Sequence, residues 1–203
     1  MMRLMRLVFF AVLVGLGLGV SPVSVAGESD EAERYRLQAE MDRLARRNAW
    51  KGVERVYKEL EALGDLSTNS HLLGSQAAQS RGEMLQAMQR LEVAVAVGEG
   101  SEEATEESGS GLADAKRALE LFTSRYGKVD ISVDKSRISM LVRTDGMPFS
   151  AQERESIVHA RDQVVEARVF QGLLPIGNYM IDGEKFEIVS SADWQMIKVG
   201  PHK

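Results

Sequence analysis

The side chains of this chain best suited to moving a proton are three histidines, His71, His159 and His202, and they are widely scattered. A zinc site needs three or four converging ligands, and the chain offers no H-x-x-x-H pair and no cysteine. His71 falls where a helix-core residue belongs, and His202 stands next to the carboxyl end. One acid–base grouping is conceivable. "RTDG" brings Arg143 and Asp145 together, and His159 and Tyr179 follow, so a fold that gathered these four would give a site in the carboxyl half.

Other catalytic patterns are missing. "GSQAA" and "SGSG" lack the strand–turn–helix setting of a nucleophilic serine. No phosphate loop occurs, and no G-x-G-x-x-G opens a helix after a strand. "SEEATEES" pairs carboxylates within a polar tract that cannot tune them by burial, and it lacks the calcium-loop pattern. Of ten methionines three lie in the first five residues, and the rest are dispersed at core-like positions as gap-fillers. No cofactor or metal is expected, and recognition rather than turnover is the chemistry that remains.

A formal charge of −5 argues against a nucleic-acid partner, which calls for clustered Lys and Arg. With 44% hydrophobic and 27% charged residues the chain has a globular composition. Its beginning differs from the rest. "MMRLMR" is basic, "LVFFAVLVGLGLGV" is apolar, and "SPVSVAG" puts Ser24 and Ala26 before a plausible cut at Gly27. Those features predict a secretory signal over residues 1–26. The apolar run falls short of the about 20 residues of a membrane span, although an uncleaved anchor through residues 7–20 is the alternative. Without cysteine there is no site for a lipid tether. A periplasmic or cell-envelope location follows.

Three regimes come next. Residues 28–97 lack proline and favour helix formers. Residues 98–111, "GEGSEEATEESGSG", predict a solvated acidic linker. "LADAKRALELFTSRYG" (112–127) predicts a capping helix whose Ala115, Leu119, Phe122 and Tyr126 share a stripe, ended by Gly127. Within the first regime "NAWKGVERVYKELEAL" and "RGEMLQAMQRLEVAVA" superpose at a shift of 34, matching Trp50 with Met84, Val53 with Ala87 and Tyr57 with Leu91. Upstream, Leu37 meets His71 and Met41 meets Ser75.

This periodicity over residues 34–97 resembles the tetratricopeptide repeat, in which helix pairs bury their apolar faces by stacking. The family's tryptophan near the start of the first helix is replaced here by Leu37 and His71, and its closing proline by Asp65 and Glu99. The resemblance implies a groove lined by the first helix of each pair. By position Tyr35, Gln38, Asp42 and Arg46 would face it from the first repeat, with Gln76 and Gln79 from the second.

From residue 128 the apolar period shortens. "KVDISVD" alternates Val129, Ile131 and Val133, and "SRISMLVR" alternates Ile138, Met140 and Val142, which predicts a hairpin turning at "DKS". "SAQE" (150–153) is a capping box ahead of a helix with Ile157, Ala160, Val164 and Ala167 on one face. In "LLPIGNYMIDGEKFEI", Pro175 and Gly177 predict a break, "NYMI" a strand, and "DG" a tight hairpin into "EKFEIV". "DWQMIKV" adds a last strand with Trp194 inward.

Leu174, Pro175, Gly177, Tyr179, Ile181 and Gly183 resemble the pattern of small envelope β modules of the PEGA and carboxypeptidase-regulatory kind. That likeness implies attachment or display without catalytic residues. The fold class expected is α+β: helical hairpins, acidic linker, capping helix, and a small antiparallel β unit with one helix over 128–203. The function expected is an exported, non-enzymatic adaptor for a protein or peptide partner. An envelope enzyme or enzyme accessory using the carboxyl-half residues is the alternative.

Overall fold

The computed structural model describes residues 25–64, 66–100, 106–134 and 140–200. The expected signal lies outside them except for its last two positions. The fold is α+β, a helical amino-terminal half followed by small sheets. No helix among the described residues is long and apolar enough to cross a membrane.

Helices α1 (Val25–Ala45) and α2 (Trp50–Ala62) form one hairpin, α3 (Thr68–Gln79) and α4 (Met84–Gly100) a second, and α5 (Glu106–Arg125) packs on the second. On α2, Val53, Val56, Tyr57 and Leu60 fall at i, i+3, i+4 and i+7, so one stripe is buried. Ser67 caps α3 by accepting the Ser70 N–H at 3.2 Å. The two pairs share a wall. Ala77 of α3 closes the core of Leu37, Met41, Val53 and Leu60, whereas its neighbour Ala78 closes that of Met84, Ala87, Leu91 and Phe122. Two adjacent small residues thus serve two cores, and neither pair hides its apolar face alone.

A polar chain runs through this stack. Arg90 of α4 donates to Glu54 of α2 twice, at 2.6 and 3.0 Å, and to the Gly74 carbonyl of α3 at 2.6 Å. Its guanidinium lies 4.0 Å from the centroid of the Tyr57 ring, and the Tyr57 hydroxyl meets His71 Nδ1 at 3.1 Å. Burial pushes the Glu54 carboxyl up, but hydrogen bonds and charge from Arg90 and Arg81 outweigh it and hold the group below its ordinary range. Burial, aided by Arg90 and opposed by Glu61, lowers His71 below its usual 6.5.

Folded His71 therefore resists a proton that the unfolded chain accepts. Its contribution to stability is complete above the unfolded value and falls as pH drops from there toward the folded value. Glu54 has the same sign at lower pH: its stabilisation is lost as pH falls through its depressed folded value. Urea midpoints should therefore fall between about pH 7.5 and about pH 5.5. A His71→Gln variant should lose that part of the slope; an unchanged slope would remove His71 as its source.

Both ends of the expected acidic linker are helical. Its residues 98–100 continue α4 and its residues 106–111 begin α5, while 101–105 lie outside the described residues. Gly98 lies against α5, where a Cβ would meet Leu112 at 3.0 Å. The expected stripe holds, with Ala115 and Phe122 buried, Leu119 partly so, and Phe122 stacked on Tyr126 at 5.2 Å. Gly127 does not end the helix. Strand β1 (Tyr126–Val133) has already begun, and at Gly127 a Cβ would sit 2.3 Å from the Val189 carbonyl oxygen.

The remaining elements are β2 (Leu141–Arg143), α6 (Ala151–Ala167), β3 (Val169–Pro175), β4 (Gly177–Ile181), β5 (Glu184–Ile188) and β6 (Gln195–Val199). One sheet runs β3-β1-β6 and the other β2-β4-β5. β1 is central in its sheet, antiparallel to β3 (Ile131↔Phe170) and parallel to β6 (Ile131↔Ile197). The expected hairpin of β1 with β2 is not formed by these strands, since β2 pairs with β4 (Leu141↔Ile181).

Parity corrects two further expectations. Leu141 faces the core while Met140 and Val142 are exposed, because a one-residue change of register exchanges the faces of a strand. Ile197 and Val199 face inward, which turns Trp194 and Met196 out. Ser150 caps α6 by accepting the Glu153 N–H at 3.4 Å. Ile157, Ala160 and Val164 are buried, and Ala167 is exposed where the helix turns at Arg168 into the left-handed region. Asp182 (φ 52) and Gly183 (φ 86) make the tight turn from β4 to β5.

Candidate functional site

The six residues assigned to a groove divide between two places. Gln38 and Asp42 of α1 are tied to α3: Ser70 Oγ donates to Gln38 Oε1 at 2.6 Å, and Asn69 Nδ2 to Asp42 Oδ1 at 3.4 Å. Tyr35 projects into solvent with 80% of its surface exposed, and Arg46 is exposed in the turn after α1. None of these four lines the cavity on which the other two open.

Gln76 and Gln79 do come together. They open on a cavity of about 340 Å³ between the start of α2, the end of α3, the middle of α5 and the start of α6. α3 positions them because its small Gly74, Ala77 and Ala78 pack inward and leave 76 and 79 on the opposite side. Gln79 Nε2 donates to the buried Ser75 Oγ at 3.3 Å, which steadies its carboxamide. Trp50, Leu72 and Ala118 supply an apolar wall, and Gln152 adds a third carboxamide. Among the described residues no charged side chain lines the cavity. Its chemistry is that of uncharged donors and acceptors beside an aromatic face.

Sequence reasoning did not reach Trp50 and Gln152. Trp50 reads as a repeat-core position and Gln152 as the interior of a capping box, and only tertiary packing brings both to α3.

The carboxyl-half grouping comes together in part: Arg143 lies 6.0 Å from the centroid of the Tyr179 ring, Asp145 and Tyr179 line one cavity, and His159 lines another. Arg143 Nε donates to Asp145 Oδ1 at 2.6 Å and Nη2 to the Ile176 carbonyl at 3.1 Å. Asp145 Oδ2 accepts the Asn178 N–H at 3.1 Å, and the fully buried Tyr179 donates its hydroxyl to the Pro175 carbonyl at 2.9 Å. These bonds brace the bend between β3 and β4. Gly177 is required in that bend: φ is +152, and a Cβ would fall 2.7 Å from Asp145 Oδ2 and 2.8 Å from Arg143 Nη2.

The hydrogen bond from Arg143 holds Asp145 below the ordinary carboxylate range, and burial pushes the Tyr179 hydroxyl well above its usual value. General acid–base work favours groups that titrate near the working pH, and these two are displaced in opposite directions from it. His159 stands elsewhere, edge-on to Phe170 with ring centroids 6.4 Å apart and its Nε2 3.1 Å from Gln163 Nε2. Arg143, Asp145 and Tyr179 are therefore neighbours, and the histidine is not among them. No group of three or more His, Asp or Glu among the described residues is arranged to hold a metal ion.

No protein-family model matches the chain, and neither curated proteins nor solved structures give a match.

Proposed function

We propose that this chain is an exported adaptor without catalytic activity, whose helical half holds an uncharged, extended segment of a protein partner. The observation that carries this reading is the cavity of Gln76, Gln79, Gln152 and Trp50, which offers carboxamides and an aromatic wall and, among the described residues, no charge. An extended peptide presents alternating N–H and C=O groups that such carboxamides can match. In the tetratricopeptide-like reading Gln76 and Gln79 belong to the first helix of the second pair, the helix that lines the groove in such repeats. The PEGA-like pattern in the carboxyl half fits a docking or display role in the cell envelope, and the signal-like residues 1–26 support export.

The test is capture from envelope extracts with the wild-type chain and a Gln76→Glu/Gln79→Glu variant. Two carboxylates in a cavity suited to neutral groups should reduce recovery of the partner by about tenfold or more. Full recovery by that variant would remove the cavity from the function. Full recovery by a Tyr35→Ala/Gln38→Ala/Asp42→Ala/Arg46→Ala variant would confine the contact to the second repeat.

A further inference from the structure

The two halves meet without a spacer, and their seam is incompletely filled. The α3–α4 turn presses on α6 at Gly82 (φ +77), where a Cβ would sit 2.5 Å from the Glu155 carbonyl oxygen and 2.8 Å from His159 Cβ. Beside that contact a cavity of about 260 Å³ lies between the first turns of α4, the middle of α6 and β3. Its walls carry four glutamines from three elements: Gln86 and Gln89 of α4, Gln163 of α6 and Gln171 of β3. The buried Met84, Phe170 and Leu173 give it an apolar side.

Charge narrows what such a cavity accepts. Among the described residues no lysine or arginine lines it, and Glu83 is its one carboxylate, with His159 on the same wall. Arg81, from outside the cavity, takes both Glu83 oxygens at 3.1 and 2.6 Å. An anion would find the wrong sign there, and a cation would have to displace Arg81. Three of the carboxamides hold one protein partner each, Gln86 with Arg81, Gln163 with His159 and Gln171 with Asp130, and an apolar ligand would bury their remaining donors and acceptors without a hydrogen bond. A neutral ligand with several hydroxyl or amide groups and one apolar face meets every condition, because each carboxamide both donates and accepts. The volume lies below the range of about 300–1,000 Å³ usual for drug-sized ligands, which limits the occupant to one small ring.

We propose that this seam cavity is a second binding site that accepts a single neutral sugar ring. Its hydroxyls lie against Gln86, Gln89, Gln163 and Gln171, and its C–H face lies over Phe170 and Leu173. His159, held edge-on to Phe170 and in contact with Gln163, fixes the rim. The assignment does not depend on the peptide cavity of the helical half.

The test is a titration of the ¹⁵N-labelled full chain with glucose, galactose and N-acetylglucosamine, each to about 100 mM, and with glycylglycine as a peptide control. At least one sugar should give saturable shifts at Gln86, Gln163, Gln171 and their side-chain amides, with Kd on the order of millimolar. Gln89→Ala and Gln163→Ala change exposed helix positions, so both variants should fold, and each should weaken binding about three- to tenfold. Gln163→Trp, which blocks the mouth, should abolish the shifts. Absence of saturation with all three sugars would overturn the proposal. So would shifts confined to residues around Gln76, or a stronger response to glycylglycine.

Discussion

Changing Glu54 to alanine should cost the folded chain about 3–5 kcal/mol, the range for removing one partner of a buried ion pair. The side chains of Arg90 and Glu54 keep only 7% and 11% of their surface. Arg90 would retain the Gly74 carbonyl and the Tyr57 face but lose the carboxylate that neutralises it. Arg81 loses a partner too, at 3.1 Å. The pair itself is a different quantity. Taking two charges out of water offsets most of what their attraction returns, so a Glu54→Leu/Arg90→Leu double variant should be markedly more stable than Glu54→Ala. Urea unfolding of the wild type, both single variants and the double variant measures this. A loss of about 1 kcal/mol or less in Glu54→Ala would mean that the pair behaves as a surface bridge, and the buried network would have to be withdrawn.

Gly74→Ala should destabilise the chain by about 2–3 kcal/mol, although helix propensity alone favours alanine by about 1 kcal/mol. The opposition is steric. A Cβ at Gly74 would fall 2.3 and 2.5 Å from Cδ2 and Cε2 of the Tyr57 ring. That ring cannot easily move, since it is 2% exposed, its hydroxyl is tied to His71, and Arg90 covers its face. The clash should therefore show as coupling in a double-mutant cycle. In a Tyr57→Leu background the same change should cost under about 1 kcal/mol, because leucine puts no ring at that spot. Equal costs in the two backgrounds would mean that α3 shifts as a body and that the ring is not the obstacle.

What could be read from the chain sorts by how local its cause is. The stripe of Val53, Val56, Tyr57 and Leu60 repeats at the helical period, and a single helix is enough to declare it. The Asp182–Gly183 turn is equally local, since the two residues allow the positive φ that the turn requires. Strand partners are not local. Val129, Ile131 and Val133 announce a strand with one buried face, but nothing in them says that β3 and β6, and not β2, will flank it. The parity at Leu141 failed for the same reason: Met140, Leu141 and Val142 are all apolar, so only pairing with Ile181 decides which one faces inward.

The candidate cavity divides along the same line. Gln76 and Gln79 follow from one helical face, whereas Trp50 and Gln152 reach it from α2 and α6 through packing. Glu54 and Arg90 look like ordinary solvated helix charges until α2 and α4 are stacked.

Tyr126 closes the second helical core and also opens β1, in register with Pro175. A pull on the carboxyl-terminal module thus reaches the helices through one unbroken piece of hydrogen-bonded backbone, with no slack tether between them. Whatever anchors the module also aims the helical half, as a handle aims a blade.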